Sequence, residues 1–113
     1  MIGFVMVGTN DLDKAIKFYD AMLETINLKR AVTNEKYAGY SSKERPEDIE
    51  FYVTNPANKE KATFGNGVQI SFIVNSKETV DKFYNLGIKL GGKDEGGPGI
   101  RPSGEYYCYL RDL

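Results

Sequence analysis

The sequence predicts an α+β fold made of two copies of one small module, and three observations carry that reading. The tripeptide Lys17-Phe18-Tyr19 returns as Lys82-Phe83-Tyr84, 65 positions later. At the same offset Val5 falls on Ile70, Val7 on Phe72, Asn10 on Asn75, Asp13 on Glu78 and Ala15 on Val80. In both halves an alternating apolar stretch runs through a polar corner into a segment with apolar residues at helical spacing. Repetition at a fixed offset speaks for architecture more strongly than any single residue propensity. In a chain of 113 residues each copy would be marginal alone, so the two are expected to share a core, within one subunit or across a dimer.

The first half opens on a strand over Ile2 to Gly8, with Ile2, Phe4 and Met6 on one face and Val5 and Val7 on the other. Asn10 or Asp11 then caps a helix, and Asp11 and Asp13 suit the positive end of its dipole. Leu12, Ala15, Ile16, Tyr19, Met22 and Leu23 form its apolar stripe. Three short extended segments follow, near Leu28 to Val32, Tyr37 to Ser41 and Ile49 to Val53. Asn55-Pro56 ends the last of them, and the polar run Ala57 to Lys61 divides a first module of about 1–56 from a second of about 65–113.

In the second half Gly65-Asn66-Gly67 signals a turn and Val68 to Val74 reads as a strand. Asn75 or Ser76 caps a helix with Val80, Phe83, Tyr84 and Leu86 on its buried stripe, ending near Gly87. The glycine-rich stretch from Gly91 to Gly104 is expected to be a short edge strand and then a loop at Gly96-Gly97-Pro98-Gly99. Glu105 to Arg111 is the last strand, with Tyr107 and Tyr109 on one face and Tyr106, Cys108 and Leu110 on the other.

Composition excludes several classes of function. The 15 basic and 16 acidic residues are interspersed, giving a net charge of -1 and no basic stripe, so neither nucleic acid nor an anionic membrane is an expected partner. No apolar run approaches the roughly 20 residues of a membrane span, and no charged and then apolar leader opens the chain. The single cysteine, Cys108, forms no intrachain disulfide and fits a reducing, cytoplasmic setting. It reads as a small hydrophobe on a strand. The chain has no histidine, which removes histidine-based nucleophilic triads and the commonest transition-metal ligand.

The remaining chemical candidates are few. Glu50 stands among apolar Ile49, Phe51 and Val53, facing either a cavity or, on an edge strand, water. Gln69 shares a strand face with Ser71 and Ile73, a pocket lining or a solvated sheet. Arg101 beside Gly99 either holds an anion or is a solvated loop residue. Tyr106, Tyr107 and Tyr109 exceed what one strand needs for a core, so at least one tyrosine face is free to stack on a flat ligand.

With Asn10-Asp11-Leu12, Phe18-Tyr19, Gly65-Asn66-Gly67, Gly97-Pro98-Gly99-Ile100-Arg101 and Tyr106-Tyr107 through Arg111-Asp112 in place, the sequence resembles the glyoxalase, bleomycin resistance and extradiol dioxygenase superfamily, the vicinal oxygen chelate group. The resemblance spans the chain. It implies two βαβββ modules whose curled mixed sheets surround a cleft, usually in a homodimer. It also implies metal ligands on the first and last strand of each module, at Phe4, Glu50, Gln69 and a fourth position beyond Leu113. Phe4 has no donor atom and Gln69 is a weak one, so no bound metal and no cofactor is expected, and the last strand of the second module is missing. The implied function is that of a small-molecule-binding protein, with Phe4, Gln69, Arg101, Tyr107 and Tyr109 as ligand contacts. The alternative is a lyase or isomerase like lactoylglutathione lyase, with Glu50 as general base.

Overall fold

The structure, a computed structural model, describes every residue from Met1 to Leu113. Its elements are β1 (Val5–Gly8), α1 (Leu12–Glu24), β2 (Leu28–Thr33), β3 (Tyr37–Ser42), β4 (Ile49–Thr54), α2 (Lys77–Lys89), β5 (Lys93–Ile100) and β6 (Tyr106–Arg111). They fall into two compact units, Met1–Ile70 and Ser71–Leu113. No helix is long and apolar enough to cross a membrane.

In the first unit the sheet order is β1-β4-β3-β2, with β1 parallel to β4 and the remaining pairs antiparallel. Asp11 starts α1 by accepting the Lys14 backbone N–H, and Asp13 sits in the first turn, as the capping pattern predicts. Ala15, Phe18, Met22 and Leu23 bury the inner face of the helix against Ala38, Tyr40, Phe51 and Val53. Phe18 was absent from the expected stripe, yet it is only 5% exposed. The residues at 15, 18 and 22 form the centre of the buried arc, while Tyr19 lies to one side with its ring 5.0 Å from Phe51.

Tyr40 is fully buried, and its hydroxyl is satisfied by donating to Asp20 Oδ1 at 3.0 Å. Asp20 in turn meets Arg30 Nη2 at 3.1 Å on β2, so one polar chain ties helix to sheet at the margin of the apolar core. Burial, joined by the Asp20 carboxylate, pushes the Tyr40 phenol well above the usual tyrosine range.

Two register shifts shape this sheet. Tyr40 pairs with Phe51 but Ser41 with Ile49, leaving Glu50 as an extra residue in β4. On the opposite side Arg30 pairs with Tyr40 and Val32 with Gly39, leaving Ala31 extra in β2. The bulged strands close over Gly39. A Cβ there would lie 2.7 Å from Val32 Cγ1 and 2.9 Å from both Ile49 Cγ2 and Tyr52 Cε1.

In the second unit Ser76 caps α2 by accepting the Thr79 N–H. The helix runs past Gly87, the expected stop, to Lys89. The reason is visible at its end: Gly91, at φ 102°, donates to Ile88 O and Gly92 donates to Gly87 O at 2.8 Å. This is the Schellman arrangement, and it places the left-handed residue four positions beyond Gly87, which is buried within the helix.

Two further expectations are corrected here. The glycine-rich stretch is not a loop after a short strand, because Lys93–Ile100 pairs with β6 along its length, interrupted by irregularities at Gly96 and between Gly96 and Gly99. And Val68 to Val74, although its exposure alternates from Gln69 onward as a strand's would, joins no ladder. In the first unit β1 is held by β4. The equivalent stretch of the second half is part of neither sheet.

Two outcomes test this packing. Gly39→Ala should lose about 1–3 kcal/mol in chemical denaturation, since three side chains must give way to one methyl. For Tyr40 the folded-state pKa is raised, so its contribution is intact at neutral pH and is lost as pH climbs above the free phenol value of about 10. Denaturation midpoints should therefore fall on the alkaline side, and less steeply in Tyr40→Phe than in the parent.

Candidate functional site

Because β-strand side chains alternate, burying Val5, Val7, Phe51, Val53, Ala38 and Tyr40 toward α1 commits Phe4, Met6, Tyr52 and Tyr37 to the other face. That face is aromatic and open. The Tyr52 ring is central, with Phe4 edge-on at 5.2 Å and Tyr37 edge-on at 5.5 Å, near-perpendicular geometries that suit ring quadrupoles. Phe4 is 56% and Met6 50% exposed, so the surface offers apolar area to a ligand. Gly39 lies beneath it, and its missing side chain leaves room for the Tyr52 ring to settle against the sheet.

Glu50 is the bulged residue of β4, and its carboxylate, 44% exposed, faces Arg45 Nη2 at 3.5 Å. Arg45 also meets Asp48 Oδ2 at 3.4 Å. Phe4, just before β1 and against Tyr52 of β4, and Glu50 of β4 thus border one sheet, but Gln69 sits exposed on the stretch that joins no ladder and bonds to neither. Tyr37 and Tyr52, the centre of the aromatic face, were missed by the sequence reading. The signal was there in the period of two, since each alternates with core residues and so brings an aromatic ring to the side that pattern assigns to solvent.

The residues were tested for a metal. Phe4 offers no donor atom, Glu50 is engaged by Arg45, and nowhere do three acidic or cysteine side chains converge in a position to hold an ion. The donor set does not fit a catalytic divalent cation, which takes about three protein ligands.

In the second unit the sequence reading of β6 holds. Tyr106 and Cys108 face α2, where the Tyr106 hydroxyl donates to Asp81 Oδ1 at 2.6 Å and the Cys108 thiol to Val80 O at 3.7 Å. The Asp81 hydrogen bond raises the Tyr106 phenol, and burial raises the Cys108 thiol. On the opposite face Tyr107 and Tyr109 stack with centroids 5.9 Å apart at 21°. The Arg101 guanidinium lies 5.1 Å above Tyr109, and its Nη2 donates to Gly97 O at 2.7 Å. The glycines explain this packing, because a Cβ on Gly96 would stand 2.9 Å from Tyr109 Cδ2 and 3.3 Å from Arg101 Nη2. The close approach that Gly96 permits is made by the chain's own arginine and tyrosine.

Two surface depressions lie elsewhere. One of about 500 Å³ is bordered by Thr9, Asn10, Asn55 and Lys59, and one of about 360 Å³ by Asp20, Arg30 and Thr33. Both are lined largely by polar side chains, those of the second including the Asp20–Arg30 ion pair, and neither includes a ring of either aromatic surface.

Comparison with known proteins places this architecture. The sequence pattern of the Glyoxalase/Bleomycin resistance protein/Dioxygenase superfamily matches residues 1–113, and the chain belongs to that superfamily. Among solved structures it is similar to a glyoxalase/bleomycin resistance protein from Albidiferax ferrireducens T118, at 41% identity and a TM-score of 0.88, over 99% of this chain and 89% of that one. A hypothetical protein from S. aureus, 22% identical, shares the fold with a TM-score of 0.75 over 97% of this chain and 84% of its own. No curated protein matches the sequence.

Gly96→Ala should disrupt the Arg101–Tyr109–Tyr107 stack, seen as loss of tyrosine near-UV circular dichroism together with about 1–3 kcal/mol of stability.

Proposed function

We propose that the protein binds a flat or amphipathic small molecule without a resident metal, in the manner that the name of its bleomycin-resistance relatives suggests. The observation that carries this is the open aromatic face of Phe4, Tyr37 and Tyr52. Its rings are locked by one another and by the sheet, so a ligand stacking there orders little that is not already ordered. The Glu50–Arg45 pair at the bulge supplies polar recognition beside it. Arg101, Tyr107 and Tyr109 form a second stacking platform, with Arg101 suited to an anionic or electron-rich group. Gln69 keeps its exposed amide for hydrogen bonding. The protein is read as a single-domain homodimer of a reducing cytoplasm, with neither nucleic acid nor membrane as partner.

The lyase or isomerase alternative asks Glu50 to serve as general base. Its carboxylate is paired with the Arg45 guanidinium, which Asp48 also engages, and no group of three acidic or cysteine side chains gathers there to hold a metal, so binding is the better supported reading.

The chain lacks tryptophan, so tyrosine emission reports directly on these rings. Titration with metal-free bleomycin and with 8-anilinonaphthalene-1-sulfonate should quench it saturably. Tyr52→Ala should weaken the tighter ligand about tenfold, an effect of the size expected for one stacked ring. Prior dialysis against a chelator should change nothing. Absence of saturable binding to either probe, or a stoichiometric zinc, nickel or iron content in the purified protein, would overturn the proposal.

A further inference from the structure

Neither sheet and neither aromatic surface uses the turn at Gly65-Asn66-Gly67. It carries a chemistry of its own. Asparagine is thermolabile because the backbone nitrogen of the next residue, once deprotonated, can attack the side-chain carbonyl carbon and close a five-membered imide ring. Two things ordinarily prevent this. A side chain on the next residue obstructs the approach, or hydrogen bonds hold the carboxamide and the peptide nitrogen in place.

At Asn66 both protections are missing. It alone among the eight asparagines precedes a glycine. Asn66 and Gly67 are exposed, outside every helix and strand, and a Cβ on Gly67 would meet nothing within 4 Å. Neither the Asn66 carboxamide nor the Gly67 N–H makes a hydrogen bond within the chain. Other asparagines are guarded. Asn10 accepts from Ala62 N at 2.7 Å and donates to Ala62 O at 3.0 Å, and Asn34 Oδ1 accepts from the N–H groups of Lys36 and Tyr37. Asn55 precedes a proline, which has no N–H to lose, and Asn85 lies within α2.

We propose that Asn66 is a modification site, converted through a cyclic imide with Gly67 to aspartate and isoaspartate. The bond from Gly67 N to Asn66 Cγ forms as the bond from Cγ to Nδ2 breaks, and the departing nitrogen leaves as ammonia with the proton that Gly67 N gave up. Water then opens the ring. Attack at Cγ gives aspartate, and attack at the main-chain carbonyl gives isoaspartate, whose backbone runs through the former side chain. No oxidant or cofactor takes part. Either product adds one negative charge to a chain whose net charge is -1. The iso form also lengthens the backbone by one carbon inside a tight turn, where a Cβ on Gly65 would stand only 3.1 Å from Val68 Cγ2. That change falls directly ahead of the stretch bearing Gln69, which no ladder holds in register.

Incubation of the full chain at neutral and mildly alkaline pH, followed by isoelectric focusing and peptide mapping, tests the site. A more acidic species should accumulate, faster at the higher pH because the attacking nitrogen must be deprotonated. Fragmentation of the tryptic peptide Ala62–Lys77, which contains both Asn66 and Asn75, should place the exchange of amide for acid at Asn66. An isoaspartyl methyltransferase should label the aged protein and not the fresh one. Asn66→Gln should abolish the acidic species. Gly67→Ala, which meets no clash and needs no left-handed backbone, should slow its appearance about tenfold. Exchange at Asn75 in place of Asn66, a rate unchanged by Gly67→Ala, or a parent protein that converts no faster than its Asn66→Gln variant would overturn the proposal.

Discussion

The parallel pairing of β1 with β4 is the contact on which the first unit depends. It brings Val5 and Val7 level with Phe51 and Val53, so the earliest strand in the sequence contributes to a core otherwise built by α1, β3 and β4. The same register sets Met6 beside Tyr52 and delivers Phe4 to the Tyr52 ring, which creates the aromatic face. Core and surface are two consequences of one alignment. A slip of one residue would send Phe4 and Met6 toward the helix and expose the valines, and the difference between the two faces in apolar content and shape makes that slip costly.

The second half shows what happens to such a strand without its partner. The duplication is faithful where structure is local. Leu12 maps onto Lys77 and Glu24 onto Lys89, so the helices coincide end to end at the 65-residue offset, and Leu28 maps onto Lys93 at the start of the following strand. Fidelity fails in the next hairpin, where the segment joining β5 to β6 shifts the last strand four positions later than its counterpart. Val68 to Val74 keeps the composition of a strand and, from Gln69 onward, the alternation of exposure, and Phe72 still meets Phe83 with ring centroids 6.3 Å apart. Side-chain packing therefore survives where the backbone ladder does not. Composition can propose a strand, but only a neighbour's N–H and C=O groups make one.

That distinction separates what was legible in the sequence from what was not. Local rules read correctly: the Asp11 and Ser76 caps, the two helical stripes in outline and the two faces of β6 all depend on residues close in sequence. The misplaced helix end is a local error of a subtler kind, because Gly87 and Gly91 are equally good candidates until the hydrogen bonds of Gly91 and Gly92 choose between them. The bulge at Glu50 was invisible, since it arises from the register between β3 and β4 and not from anything in Ile49-Glu50-Phe51. Tyr37 and Tyr52 were overlooked for a related reason. Each lies on a strand whose apolar alternation drew attention to the core side, and only the β3–β4 register reveals that their rings meet.

The chemistry of the first unit's open face follows from the same alignment. A metal centre needs several short, polar donors aimed at one point, whereas this face sets Phe4 edge-on against Tyr52, and the Glu50 carboxylate is paired with Arg45. These demands exclude one another. Rings packed edge to face fill the space that donor atoms would need, and their apolar edges raise the cost of leaving an ion's charge unsatisfied. Tyr52 is flanked on one side by Phe4 and on the other by Tyr37. The β1–β4 pairing that completes the core thus also sets the composition of the opposite face.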